Sequence, residues 1–129
     1  MRIRLVTDRG VLFATLADNA TSRDFAALLP LLLPVHDYAQ TEKVCDLPGR
    51  LSTKGAPSGF AARAGALTYY APWGNLAIFY RDFRRADGLV ELGLLDLGAN
   101  GEALASLRAM EDGTLVRFEL DVDVPGRGV

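Results

Sequence analysis

Short runs of alternating polar and apolar residues constrain the fold of this chain more than any other feature. The runs at 1–7 and 11–17 alternate and are separated by Asp8-Arg9-Gly10, where the glycine supplies the positive φ of a short hairpin loop. A comparable run at 114–124 closes the pattern. Because no helix lies regularly between successive strands, a parallel sheet is not expected. The chain is therefore predicted to be mainly β.

The pattern predicts about seven or eight short strands. So many short strands favour a closed barrel, in which no edge strand is left exposed. The strands are expected at 1–7, 11–17, 31–35, 38–47, 67–70, 76–80, 89–97 and 114–124. Pro34 favours an edge or a bulge at its position, because proline cannot donate to a strand ladder. Residues 48–65 are rich in Gly and Pro and are expected to form a long coil, a kind of segment that is often functional. Residues 125–129 are predicted to be a loose tail.

Two short helices complete the predicted elements. Thr21 is expected to cap the first helix, with Asp24 three residues later reaching back toward the cap. Phe25 begins an apolar face at helical spacing, and Pro30 ends the helix. A second helix is predicted over 102–110.

The bulk composition bounds the domain count and several classes of partner. A chain of 129 residues with 50% hydrophobic and 23% charged residues is predicted to form one domain over 1–129. Its net charge of −2 argues against nucleic-acid binding, and the charged segment 81–85 is interpreted as a solvated loop. The longest apolar run, 26–33, is too short to cross a bilayer and contains Pro30, so no membrane association is expected. A single cysteine, Cys45, fits a reducing compartment, and a cytoplasmic location is predicted.

Metal and nucleophile chemistry find little support in the residue types. The only histidine, His36, adjoins Asp37, but neighbours on a strand point to opposite faces, and no Gly-x-Ser-x-Gly elbow is present. One His and one Cys exclude the usual zinc patterns, and Cys45 is interpreted as a small buried hydrophobic residue. No glycine-rich phosphate loop occurs. Neither a metal nor a cofactor is expected.

The stretch YYAPWGNLAIFY at 69–80 is the richest in aromatic residues. Its second half, 76–79, has the character of a core strand. Adjacent Tyr69 and Tyr70 cannot both face inward on a strand, so one of them is expected on the outer side. Tyrosine and tryptophan suit the walls of pockets and interfaces, which makes 69–75 the best candidate for a cleft or an oligomer contact.

The order of the predicted elements resembles that of the cyclophilin barrel. The segment Gly65-Ala66-Leu67-Thr68-Tyr69-Tyr70-Ala71, the turn that follows it and the strand at 75–80 are similar to a cyclophilin stretch before its Gln-Phe-Phe-Ile strand, and 90–98 is similar in rhythm to a later one. The whole chain resembles a small bacterial family of cyclophilin-like proteins, through runs at 41–43, 51–57 and 70–80. The resemblance implies a closed cyclophilin-like β-barrel of about eight strands with two short helices.

The chain departs from cyclophilins where their chemistry resides. The stretch comparable to their Phe-His-Arg motif, 38–45, contains no arginine, and Lys43 lacks the planar fork of a guanidinium. The glutamine that holds substrate in cyclophilins corresponds to Ala77, which cannot form a side-chain hydrogen bond. Whether the chain is an enzyme is therefore left open.

Three functional hypotheses follow from these residues. In the first, a cleft binds a small molecule or an extended, proline-containing peptide, with Tyr70 and Trp73 as apolar walls and Glu42, Arg50 and Asn75 as polar contacts. In the second, the protein is a weak or atypical peptidyl-prolyl cis-trans isomerase in which Lys43 or Arg50 replaces the missing arginine. In the third, the aromatic stretch forms the contact of a homo-oligomer and binds no small ligand.

Overall fold

The computed structural model describes residues 1–122 and contains a closed antiparallel barrel of eight strands with two helices, which confirms the predicted fold class. The chain forms β1 (Arg2–Thr7), β2 (Gly10–Leu16), α1 (Ala20–Ala27), β3 (Leu31–Tyr38), β4 (Glu42–Asp46), β5 (Gly59–Phe60), β6 (Ala66–Tyr70), β7 (Asn75–Phe79), β8 (Ala86–Asp87), β9 (Leu89–Leu95), α2 (Glu102–Ala109) and β10 (Thr114–Leu120). The predicted end of the last strand at 123–124 and the predicted tail at 125–129 lie outside the described residues.

The barrel closes because its first strand pairs with its last. Around the barrel the strands follow the order β1, β10, β3, β4, β7, β6, β9, β2, and β2 returns to β1. Alternate residues point inward and fill the interior, as barrel geometry requires. The largest fully buried side chains include Leu5, Leu67, Ile78, Leu92 and Phe118.

Helix α1 covers one part of the barrel, and its start differs from the prediction. Asn19, not Thr21, is the N-cap, and its side chain accepts a hydrogen bond from the Ser22 amide. Thr21 is buried and donates instead to the Ser52 carbonyl, at 2.6 Å. The Asp24 carboxylate accepts from the Ser52 amide, so it ties the helix to the long coil instead of reaching back to the cap. Local spacing could not reveal these long-range partners.

Strand boundaries near β3 and β4 also differ from the prediction. Tyr38 ends β3 instead of beginning the next strand, because residues 39 and 40 have positive φ and make the turn into β4. Pro34 pairs with Leu115 of β10, while β3 pairs with β4 only from His36 onward. The proline therefore lies where β3 has a partner on one side, as its missing N–H requires.

A second apolar layer lies outside the barrel. Strand β5, which lies within the long coil, pairs with β8, which follows β7, and this pair holds the coil over the outer face of β6 and β7. The sequence did not predict either strand. The buried members of this outer cluster are Ala62, Ala66, Ala77, Phe79 and Leu89. Among the helices of residues 1–122, none combines the length and the apolar character needed to cross a membrane.

Candidate functional site

An open cleft of about 280 Å³ lies on the outer face of the barrel, beside the second apolar layer. Its lining residues are Tyr38, Ala39, Glu42, Val44, Tyr70, Trp73, Asn75, Phe79, Phe83, Arg84, Arg85, Ala86 and Leu89. Strand alternation decides which residues reach it. In β4, Glu42 and Val44 face the cleft, while Lys43 and Cys45, which alternate with them, are buried.

Three aromatic rings form one wall of the cleft. The Trp73 ring meets the Tyr38 ring at a centroid distance of 5.8 Å and the Tyr70 ring at 5.4 Å, and both pairs are nearly perpendicular. Tyr38 and Trp73 remain exposed, at 46% and 59%. Tyr69, by contrast, lies in the barrel core, where its hydroxyl accepts from the Leu51 amide. Tyr69 and Tyr70 thus face opposite sides, as expected for neighbours on a strand.

The segment after β7 forms the opposite wall, which sequence reasoning missed. Phe83 stacks on Phe79 with ring centroids 5.6 Å apart, and the Arg84 guanidinium lies over the Phe83 ring. Arg85 forms an ion pair with Asp87 and donates to the Ser58 hydroxyl. The segment 81–85, interpreted from its charges as a solvated loop, therefore contributes to the cleft. An aromatic residue inside a charged run was the one available signal.

Glu42 is the acidic group of the cleft and has no ion pair or side-chain hydrogen bond within residues 1–122. Burial, together with the nearby negative charge of Asp37, raises the pKa of Glu42 to about 7. The carboxyl group of Glu42 therefore changes between its protonated and ionised forms near neutral pH. A group of this kind can accept a hydrogen bond, hold a cation or donate a proton to a ligand.

Asn75 supplies an unused polar group at the other end of the cleft. Its residue is 5% exposed, and its side-chain Oδ1 is buried without a hydrogen-bond partner among the described residues. Buried polar atoms are nearly always paired in proteins, because burying one unpaired costs about 1–3 kcal/mol. An unpaired acceptor beside a cleft is therefore a position where a bound molecule would compensate that cost.

The structure brings four of the six predicted contact residues together, Glu42, Tyr70, Trp73 and Asn75. Arg50 is exposed and donates to the Ala71 carbonyl at 2.8 Å, and it does not line the cleft. Neighbouring residues on a strand face opposite sides, so Lys43 points away from the cleft that Glu42 faces. Sequence analysis placed Lys43 and Arg50 in the site because the direction of a side chain depends on strand register, and register is not visible in the sequence.

Lys43 belongs to a buried polar cluster next to the barrel core. Its ammonium group donates to the Met110 carbonyl at 2.6 Å and lies 3.3 Å from the Asp37 carboxylate. The Tyr80 hydroxyl donates to the same carboxylate at 2.5 Å. Burial opposes ionisation of Asp37, but these hydrogen bonds and the Lys43 charge leave its pKa below the ordinary value. Burial and Asp37 together raise the pKa of Tyr80 to about 12.

Cys45 is 3% exposed, and this confirms that it is a small buried residue of the core. Burial, with the neighbouring charge of Asp46, raises the pKa of its thiol to about 12, so the reactive thiolate is disfavoured. Nowhere in residues 1–122 do three His, Cys, Asp or Glu side chains come together as a metal centre would need.

Comparison with known proteins bears on the family and the fold of this chain. A profile of the cyclophilin-like family matches residues 5–119 of the chain. The solution structure of a hypothetical protein from Archaeoglobus fulgidus is similar, with a TM-score of 0.62 and 20% sequence identity over 93% of this chain and 94% of that chain. At that identity the likeness concerns the fold alone. No curated protein sequence matches the chain significantly.

Proposed function

The chain belongs to the cyclophilin-like family, and from this premise we propose that it binds a small molecule or an extended peptide in the outer cleft. The observation that carries the proposal is Asn75 Oδ1, which has no hydrogen-bond partner within residues 1–122, beside the Tyr70 and Trp73 rings. An apolar cleft with a few polar groups is the usual form of a ligand site. The single thiol Cys45 supports a cytoplasmic setting as part of the same proposal.

The shape of the cleft supports an elongated ligand. Glu42 pairs with Phe79 at one end of β7, and Asn75 pairs with Tyr70 at the other. Four residue steps along a strand span about 13 Å, which is the length of about four residues of an extended peptide. Apolar side chains of the ligand would lie between the two polar ends, against Val44, which is paired with Ala77 in the middle of β7.

Binding is testable by NMR with isotopically labelled protein, titrated with short proline-containing peptides and with a library of small aromatic compounds. We expect shifts confined to residues 42–44, 70–79 and 83–89. The variant Tyr70→Ala removes one wall and should weaken binding about tenfold, which corresponds to about 1.4 kcal/mol. Leu115→Ala, a truncation of an exposed side chain on β10, is the matched control. Shifts scattered over the surface, or equal affinities of both variants, would contradict the proposal.

A weak prolyl isomerase activity is the alternative, and Arg84 is the observation that favours it. Polarisation of a prolyl amide needs a fixed donor in the cleft. Neither Lys43 nor Arg50 lines the cleft, whereas the Arg84 guanidinium does. An NMR exchange assay on a short Ala–Pro peptide, with an ordinary cyclophilin as the reference, measures this activity directly. Acceleration that is lost in Arg84→Ala and kept in Arg50→Ala would support the alternative, and no acceleration by the folded protein would exclude it.

A homo-oligomer built through the same face is a third proposal. Its support is the exposure of Tyr38 and Trp73 on one wall of the cleft. Analytical ultracentrifugation distinguishes it, because a dimer that dissociates in Tyr70→Ala would assign the aromatic wall to self-association. A wild-type monomer at high concentration would refute it.

A further inference from the structure

One corner of the cleft combines aromatic rings with the Glu42 carboxyl group, which has no ion pair or side-chain hydrogen bond in the described part of the chain. Tyr38 and Glu42 are directly opposite each other on β3 and β4, and both line the cleft. Side chains at such positions are neighbours, with Cβ atoms about 5 Å apart. The Trp73 ring reaches the Tyr38 ring at 5.8 Å. Tyr38 thus lies between the two groups, next to Glu42 through strand pairing and next to Trp73 through ring contact, and all three side chains line the same cleft.

We infer, on the basis of the proposed function, that the cleft selects a ligand with a cationic amine, and that Tyr38, Trp73 and Glu42 hold that amine. Aromatic faces attract cations through the ring quadrupole, and tryptophan does so most strongly. A half-buried carboxylate adds charge complementarity where water screens it less than at the open surface. The apolar body of the ligand lies along Val44 and Phe79 toward Asn75, where Oδ1 accepts a hydrogen bond from the ligand.

The other charges around the corner leave Glu42 available for this role. On β3, Asp37 is occupied by Tyr80 and Lys43, and the Lys43 ammonium is buried against the Met110 carbonyl. Across the cleft, Arg85 is paired with Asp87. Arg84 lies over the Phe83 ring on the opposite wall. An anionic ligand would have to use Arg84 instead, and the experiment below separates that outcome from the cationic one.

Three probes of nearly equal shape test the sign of the charge. Choline carries a permanent cation, dimethylbutanol replaces its nitrogen by carbon and is neutral, and dimethylbutyrate is an anion. Binding of each is followed by the fluorescence of Trp73, the only tryptophan of the chain, and by NMR shifts at the cleft. We expect choline to bind at least about tenfold more tightly than the neutral probe, in the range of known cation–π and charge effects.

Two variants assign the selectivity to Glu42. Glu42→Gln keeps the side-chain volume and removes the charge. We therefore expect it to lower the affinity for choline about tenfold and to leave the affinity for dimethylbutanol unchanged. Glu111→Gln, at an exposed position outside the cleft, is the matched control and should behave like the wild type. Equal losses in both variants would refute the assignment to Glu42.

The pH dependence supplies a second readout, because choline itself does not titrate. The charged and titratable groups on the elements around Glu42 are Asp37, Tyr38, Lys43, Tyr80, Arg84 and Arg85. The pKa of Asp37 lies below its ordinary value and the pKa of Tyr80 is raised to about 12, so neither group changes charge near pH 7. His36, the only histidine of the chain, lies two residues from Tyr38 on the same strand, and His36→Gln is the control for it. Choline affinity should therefore rise as the pH increases through about 7 in the wild type and in His36→Gln, and stay flat in Glu42→Gln.

The outcomes separate this inference from the proposed function. Preference for choline with loss in Glu42→Gln supports both. Equal or tighter binding of the neutral or anionic probe at the cleft overturns the inference and leaves the cleft as a ligand site. No shift at the cleft with any of these probes, the peptides or the aromatic library overturns both.

Discussion

Individual residues in this barrel show how neighbours in sequence acquire unrelated roles. Lys43 is buried in a polar cluster, while Glu42 and Val44 on either side of it line an open cleft. The same alternation separates Tyr69 in the core from Tyr70 at the surface. One step along a strand thus decides whether a charge is neutralised internally or offered to a ligand.

Glu42 should lower the stability of the protein as the pH rises. Its pKa in the folded protein, about 7, lies above the ordinary 4.5, so the unfolded chain loses the proton first. Stability is therefore lost between about pH 5 and pH 8, and we expect a loss of about 1–2 kcal/mol because the group is only half-buried. Urea unfolding of the wild type and of Glu42→Gln measures this. A difference between the two proteins that does not change with pH would contradict the prediction.

At the scale of elements, the polar cluster joins three parts of the barrel. The cluster consists of Asp37 on β3, Lys43 on β4 and Tyr80 just after β7. Lys43 also connects it to the end of α2, because its ammonium group donates to the Met110 carbonyl. The Lys43 side chain is 4% exposed, whereas that of Asp37 is 29% exposed. Removing Asp37 therefore leaves a buried charge unpaired, which costs more free energy than leaving the more exposed carboxylate unpaired.

Asp37→Asn should destabilise the protein by about 2–3 kcal/mol, because it leaves the buried Lys43 charge without a counter-ion. Lys43→Met, which removes that charge, should cost less. The exposed pair of Arg23 and Asp18 is the control, since Asp18 is 96% exposed and Asp18→Asn should cost about 0.5 kcal/mol or less. Urea unfolding at pH 7 ranks the three variants, and a Lys43→Met cost above that of Asp37→Asn would refute the argument.

Strand β9 depends on a glycine at a bulge. Thr68 pairs with Glu91 and Leu67 with Gly93, so Leu92 is the extra residue, and it points into the core. A Cβ at Gly93 would overlap the Thr15 carbonyl oxygen of β2. This contact explains why the seam between β2 and β9 needs a residue without a side chain.

Gly93→Ala should therefore destabilise the protein by about 2–4 kcal/mol, because backbone must move to accept the methyl group. Gly49→Ala is the matched control, since open space surrounds that position and its φ is not left-handed. We expect it to be neutral or to stabilise by less than about 1 kcal/mol. Thermal unfolding of both variants gives the comparison, and similar melting temperatures would show that β2 and β9 can separate without penalty.

At the scale of the whole molecule, closure of the barrel joins the first strand to the last. β1 pairs with β10 from Ile3–Leu120 to Val6–Arg117, and β2 pairs with β9. No strand of the barrel can leave without breaking pairs on both sides. The outer layer adds to this, because the long coil is held by β5 and β8 and by the Ala64 amide, which donates to Asp82.

A single domain over 1–129 remains a prediction, and cooperative unfolding is its test. We expect the fluorescence of Trp73, which reports the cleft, and far-UV circular dichroism, which reports the strands, to give one coincident urea transition. Separate midpoints would mean that the outer layer and the barrel unfold as different units.

Several features of this protein follow from the sequence by itself. The period of two in its apolar residues predicts the strands, the absence of strand–helix alternation predicts an antiparallel barrel, and the adjacency of Tyr69 and Tyr70 predicts that one faces outward. These are local properties, since they depend on residues close together in the chain. The mainly β barrel with two helices could be predicted for this reason, together with a resemblance carried by long motifs.

The tertiary structure decided which of the predicted contact residues share the cleft, Glu42, Tyr70, Trp73 and Asn75, and which others join them. The register of β3 and β4 places Tyr38 opposite Glu42, and the Tyr38 ring meets the Trp73 ring from a distant part of the chain. Arg84 lies over Phe83, which stacks on Phe79 beside the cleft. The raised pKa of Glu42 and the burial of Lys43 arise from the same register. Such relations join residues far apart in the chain, so no local pattern records them, and only the folded barrel brings them together.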